Sequence, residues 1–128
     1  MPETDVRVFR EADGGIPLMT WLDELEASEP LAYEKCLTRI LELAKYGHEL
    51  RRPQADALRD GVRELRVKVG RVNYRMLYFF RGKDAAVLSH GITKEGKVPP
   101  REIDKAVTRK KLVESNPEKF TAVFEPEE

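Results

Sequence analysis

Apolar and polar positions alternate from Asp5 to Arg10, with Val6, Val8 and Arg10 on one side and Arg7 and Phe9 on the other, so a short first strand is predicted. Asp13-Gly14-Gly15 ends it. The period then lengthens: behind Pro17, Leu18, Trp21, Leu22 and Leu25 recur at i, i+3, i+4 and i+7, the apolar stripe of a helix. Ser28 and Pro30 separate it from a second helix whose expected face is Tyr33, Cys36, Leu37, Ile40, Leu41 and Ala44, with Gly47 as a left-handed C-cap. Residues 48–60 keep no period and read as a connection over the surface, anchored by Leu58.

Alternation returns at Val62. The runs 62–69 and 72–81 are joined by Gly70-Arg71, and glycine at the first central position is what a two-residue type II′ turn requires. That closure pairs 69 with 72, 68 with 73 and 66 with 75. The same rule applied to Gly82-Lys83 pairs 81 with 84, 77 with 88 and 75 with 90. One face then carries Leu65, Val67, Val69, Val72, Tyr74, Met76, Tyr78, Phe80, Ala85 and Val87, the expected core. The other divides into an apolar end, Leu77, Phe79, Ala86 and Leu88, and a polar end, Arg66, Lys68, Asn73, Arg75 and His90. Pro99-Pro100 opens a last helix with Ile103, Ala106 and Val107 inward. The fold class expected is α+β: a small antiparallel-rich sheet packed against two N-terminal helices, with a C-terminal helix.

Length and charge sharpen this outline. With 128 residues, 41% of them hydrophobic, one compact domain is expected, over 1–113, with 114–128 as a loosely tied acidic tail. The alternative is that the tail's Phe120-Thr121-Ala122-Val123-Phe124 folds back on the polar end or on an edge strand. The formal net charge of zero conceals a basic centre: residues 61–113 hold 14 Lys+Arg against 5 Asp+Glu, whereas 1–60 hold 8 against 13 and 114–128 hold 1 against 5. Such a centre suits a polyanionic partner. Like charges opposite one another destabilise a sheet, so Arg66 beside Arg75 suggests an absent anion, one that a ligand would bring. The bland alternatives are that Arg66 pairs with Glu64 and that His90 satisfies a turn backbone.

The single cysteine, Cys36, lies in an apolar stripe and reads as core rather than nucleophile, and no Cys/His spacing resembles a zinc site, so no metal or cofactor is expected. The start of the chain is charged from its third residue and no apolar run reaches spanning length, which together with the lone thiol implies a cytoplasmic protein without membrane contact.

In order along the chain, PLMTWLDEL, GHELRRP, GVRELRVKVGRVNYRMLYFF and LSHGITKEGKVPPREIDKA resemble the HigB-type, phage-derived toxins of the RelE/ParE superfamily, over about residues 5–113. The resemblance implies a RelE-like β-α-α-β-β-β-α order, a metal-independent mRNA endoribonuclease that works on the ribosome and inhibits translation, and a cognate helix-turn-helix antitoxin encoded next to it. By motif position it carries catalytic roles onto Arg66, Arg75, His90 and Lys94. Arg66 and Arg75 would clamp the scissile phosphate, His90 would exchange a proton, and Lys94 or Lys97 would neutralise developing charge. Lys68, Asn73, Lys97, Arg51 and Arg52 are candidate substrate contacts. The chain departs from the family pattern at Ile92 and Glu95 in HGITKEG, at Asp56, where relatives often carry a base, and at Ile103, where some carry a tyrosine. Two other functions stay open: a non-catalytic binder of gyrase or another host protein, as in the ParE branch, and a decayed toxin that only binds its antitoxin.

Overall fold

The computed structural model of the chain describes residues 3–94 and 96–125, leaving aside the side chain of Lys94. Glu95, one of the departures noted above, lies outside the described residues.

Strand β1 (Asp5–Phe9) leads into helices α1 (Pro17–Ser28) and α2 (Pro30–Tyr46), a single 3-10 turn (Gly47–Glu49), strands β2 (Ala55–Arg59), β3 (Val62–Val69), β4 (Val72–Arg81) and β5 (Ala85–Lys94), helix α3 (Pro100–Ser115), a short helix α4 (Pro117–Phe120) and strand β6 (Thr121–Val123). The strands form one sheet in the order β2-β3-β4-β5-β1-β6, with β1 parallel to β5 and every other pair antiparallel. Helices α1 and α2 cover one face and α3 the other, so the chain is α+β.

The helices form where the periodicity predicts. Each of α1, α2 and α3 opens on a proline, whose missing N–H is one of the donors a helix start leaves unpaired anyway. Leu18, Leu22 and Leu25 of α1 and Ala32, Cys36, Ile40 and Leu43 of α2 are buried against Leu65, Val67, Met76, Tyr78, Ala86 and Leu88. Full burial of each leucine or isoleucine contributes about 1.5–3 kcal/mol. The α2 stripe is rotated from the expected one: Leu43 is inside, and Leu41 stands 63% exposed.

The β3–β4 register is the expected one, with Val69 opposite Val72, Lys68 opposite Asn73 and Arg66 opposite Arg75. Gly70 at φ 61° supplies the type II′ turn. The β4–β5 register differs. Gly82 to Asp84 make a three-residue loop, so Arg81 pairs with Ala85 and Tyr78 with Leu88, and an irregularity at Ser89 shifts the strand once more. Leu77 therefore faces His90, and Arg75 faces Ile92 rather than His90. The first slip turns β5 over: Ala86 and Leu88 join the core beneath α1 and α2, while Val87 packs with Phe79, Phe9 and Val113 beneath α3.

Residues 48–60 are more than a connection. Asp60 (φ 54°) and Gly61 (φ 82°) both take the positive φ of a type I′ turn and fold β2 back along β3. Nor is the tail loosely tied. Strand β6 lies along β1, with Arg7 opposite Val123 and Phe9 opposite Thr121. The Arg10 guanidinium donates to the carbonyls of Glu118 (2.7 Å) and Lys119 (3.1 Å), and Phe120 stacks on Phe9 with ring centroids 6.1 Å apart. The tail thus covers an edge strand, two strands away from the Arg66–Arg75 pair on β3 and β4. No helix among the described residues is long and apolar enough to cross a membrane.

Candidate anion-binding site

Strand pairing brings two rows of polar residues to one end of the sheet. Arg66 on β3 and Arg75 on β4 stand directly opposite each other, and one pleat further Lys68, Asn73 and Lys94 occupy neighbouring register positions on β3, β4 and β5. The anion required between the arginines is supplied by the protein. Glu64 lies two residues before Arg66, on the same face of β3 by strand alternation. Its side chain is 4% exposed, and a single oxygen, Oε1, accepts from Arg75 Nε at 3.0 Å and Arg66 Nε at 3.2 Å. Arg66 Nη2 also meets Asp56 Oδ2 at 3.1 Å, and Arg52 Nη2 meets the same oxygen at 2.9 Å. The hydrogen bond from Arg52 is the main cause that holds the Asp56 carboxyl below the usual range. Arg75 further donates from Nη1 to the carbonyl of Gly96, tying the loop after β5 to the pair.

This arrangement orients the two guanidinium groups without covering them equally. Arg75 is 15% exposed and Arg66 39%, so Arg66 is the group that solvent or a ligand can reach. A planar guanidinium fixed by carboxylates on one side keeps its fork geometry for an oxyanion on the other. Lys68, one pleat further along β3, is exposed, as is Lys97, next in the chain to the Gly96 carbonyl that Arg75 engages, and the side chain of Lys94 lies outside the described residues. Asn73 is half-buried and engaged. Arg51 is exposed, and Arg52, 75% exposed, belongs to the cluster through Asp56.

His90 does not join this group. It is 6% exposed, faces Leu77 across the sheet, and has both ring nitrogens engaged: Nδ1 with Ser89 Oγ at 2.7 Å and Nε2 with Glu102 Oε1 at 3.0 Å. Burial first, and the nearby Arg109 charge second, push its pKa down to about 4, against the pull of Glu102. Burial opposes ionisation of Glu102, yet the Lys105 ammonium and the His90 hydrogen bond together hold its pKa below the ordinary carboxylate value. A neutral His90 therefore donates Nε2–H to Glu102 and accepts the Ser89 hydroxyl proton at Nδ1, while Arg109 donates to Ser89 Oγ at 3.4 Å and to the Ser89 carbonyl at 3.3 Å. The network pins α3 to the irregular step of β5. It holds His90 among Ser89, Glu102 and Arg109 rather than beside the Arg66–Arg75 pair.

Sequence reasoning missed two contributors. Asp56 enters the cluster because β2 exists, and Asp60-Gly61 is the signal that would have revealed that strand. Gly91 lies beneath the Trp21 ring, where a Cβ would stand 2.1 Å from Cδ2, and Trp21 Nε1 donates to Thr93 Oγ1 at 3.2 Å. The aromatic ring thereby fixes α1 against the strand that carries Ile92 and Lys94. Burial pushes the Cys36 thiol up to about 12, in keeping with a core position. Among the described residues no group of three or more His, Cys, Asp or Glu side chains is arranged to hold a metal ion.

No curated protein matches the sequence. Residues 20–111 match the family model described as phage-derived protein Gp49-like (DUF891), a span from α1 to α3 that includes the whole cluster around Glu64. With well over half of its length matched, the chain belongs to the Gp49-like family of phage-derived proteins.

Proposed function

We propose that the protein is the HigB-like toxin of a type II toxin-antitoxin module and inhibits translation by cutting mRNA on the ribosome in the cytoplasm, with residues 1–113 as the toxin domain. The observation that carries this reading is the abutting pair Arg66–Arg75, oriented by buried Glu64 at the basic end of the sheet of a Gp49-like chain. Arg66 binds a non-bridging oxygen of the scissile phosphate, and Arg75 beside it adds positive charge. The 2′-hydroxyl oxygen attacks phosphorus, its proton passing to water, and the bond to the 5′-oxygen breaks, leaving a 2′,3′-cyclic phosphate and a 5′-hydroxyl. An ammonium group, Lys97 or Lys94, supplies the proton taken up by the departing 5′-oxygen and neutralises charge in the transition state. Lys68, Asn73, Arg51 and Arg52 contact flanking parts of the strand. A basic end of this kind also suits an acidic segment of a helix-turn-helix antitoxin, encoded in the adjacent reading frame, that covers the site.

One observation favours a second reading. Glu64 and Asp56 already neutralise much of the arginine pair, as suits a protein that occupies a host target without chemistry. Purified protein added to a translating extract separates the two, with primer extension on the reporter mRNA as readout. An endoribonuclease leaves discrete new 5′ ends as synthesis stops. Arrest with intact transcripts would refute the endoribonuclease reading and support a binder of the translation machinery, and unhindered synthesis would refute the endoribonuclease reading and leave only a binder whose target lies outside translation.

A further inference from the structure

Strand β2 pairs with β3 only as far as Ala55 opposite Leu65, so the last residues of β3 form an open edge. The Arg66 N–H still donates to the Gln54 carbonyl at 2.8 Å, and the Arg66 carbonyl accepts from Arg39 Nε of α2 at 2.9 Å. Because both peptide groups of Arg66 point to this edge, strand alternation directs those of Lys68 the same way. Beside them lies a cleft of about 310 Å³ lined by Lys35, Thr38, Arg39 and Glu42 of α2 and by Val67 and Lys68 of β3. The four α2 residues fall at i, i+3, i+4 and i+7 and so share one ridge of the helix.

The charges of this cleft are unbalanced. Arg39 is paired with Glu42, Nη1 to Oε1 at 2.7 Å. Lys35 and Lys68 are exposed and have no ion-pair partner among the described residues. Two ammonium groups thus flank an open strand edge that presents a backbone donor, and Arg39 joins that edge physically to Arg66. Lys68 follows Arg66 by one pleat on the same face, about 7 Å along the strand. That is the scale on which successive phosphates of an extended single strand are separated.

We propose that the Lys35–Arg39–Lys68 cleft is a phosphate subsite for single-stranded RNA, continuous with the Arg66–Arg75 pair and lying one nucleotide or more from the scissile bond. Lys35 and Lys68 neutralise the phosphate, the Lys68 peptide N–H donates to it, and Arg39 holds the helix ridge at the correct distance from β3. The proposal rests on the RNA-cleaving reading above and extends the bound strand around the sheet edge to α2.

The test uses the full chain and a short fluorescein-labelled RNA whose 2′-hydroxyls are methylated, so that binding is read without cutting. Anisotropy titrations over a range of salt concentrations compare the wild type with Lys35→Gln, Lys35→Gln/Lys68→Gln and Arg66→Ala. Both lysines are exposed, so the fold is not at risk. Loss of one phosphate contact lowers the salt slope by about 0.7 and, near 0.15 M salt, weakens binding about fourfold; the double variant loses more than tenfold. Unchanged affinity and slope in the double variant, with Arg66→Ala weakened, would overturn the subsite and leave the proposed function standing. A double variant that loses affinity for a polyglutamate peptide but not for RNA would also overturn it, assigning the cleft to an acidic protein segment. Cutting of a reporter mRNA by the wild type in a translating extract is followed in parallel. Binding without cutting would strike the proposed function alone, and a wild type that neither binds nor cuts would remove both.

Discussion

Replacing Glu64 by glutamine keeps the shape of the side chain and removes the one charge that separates Arg66 from Arg75. At 3.0 and 3.2 Å, each contact with Oε1 is worth about 5 kcal/mol of Coulomb attraction at an effective dielectric of about 20. The two guanidinium groups share that oxygen, so their own separation is at most about 6 Å and their repulsion about 3 kcal/mol. Most of the attraction is offset by the desolvation of a carboxylate that is 4% exposed, and breaking such a buried pair costs about 3–5 kcal/mol. Arg66 is 39% exposed and its share is screened, which brings the expected loss for Glu64→Gln to about 3 kcal/mol, or a fall in Tm of about 10 °C. Urea unfolding measures the first figure and calorimetry the second. Inorganic phosphate should restore part of the loss in the variant and scarcely move the wild type, since an anion that binds only the folded state stabilises it by mass action. A variant as stable as the wild type, or phosphate acting equally on both, would refute the idea that Glu64 stands in for an anion between the arginines.

Other outcomes follow from the same geometry. His90 has a folded pKa of about 4 against about 6.5 unfolded, so its contribution is complete above pH 6.5 and is lost as pH falls towards 4, by about 3 kcal/mol in all. Urea midpoints for His90→Gln should therefore fall less between pH 7 and 4.5 than those of the wild type, and parallel falls would sink the assignment. Gly91→Ala drives a methyl into the Trp21 ring and should cost about 1–3 kcal/mol with a red shift of the tryptophan emission, whereas unaltered emission and stability would count against the contact. Phe120→Ala removes the stack on Phe9 and should cost about 2 kcal/mol, with faster amide exchange along β1; unchanged exchange there would mean that β6 does not hold that edge.

The parts of the fold that local chemistry specifies are legible in the chain. Gly70-Arg71 admits one short turn, and so the juxtaposition of Arg66 and Arg75 follows from counting outward. The proline-led helices with leucines at helical spacing are equally plain. What escapes counting is any residue that alters the count. Gly82 accepts a positive φ in a two- or a three-residue loop, and the extra residue turns the side chains of β5 to the opposite faces. The irregularity at Ser89 is stabilised by Arg109 and Glu102 of α3, partners far along the chain, so nothing near His90 announces that it is displaced from Arg75. Strand β2 escapes the reading although Asp60-Gly61 signals its turn, because Ala-Asp-Ala-Leu-Arg has little strand propensity and is held by its pairing with β3. The identity of the anion between the arginines was within reach as well, two residues before Arg66. What the sequence alone leaves undecided is the competition between Glu64 and a ligand for the same pair, because that depends on burial.

The central claim is that the guanidinium pair oriented by Glu64 acts on a phosphodiester. The direct measurement is the single-turnover rate of mRNA cutting on programmed ribosomes by the wild type and by Arg66→Ala, which keeps the Arg75–Glu64 contact and so preserves the fold. The expected result is a 5′-hydroxyl product from the wild type and a rate lower by about 10²–10³-fold in the variant. Equal rates from the two proteins would contradict the account.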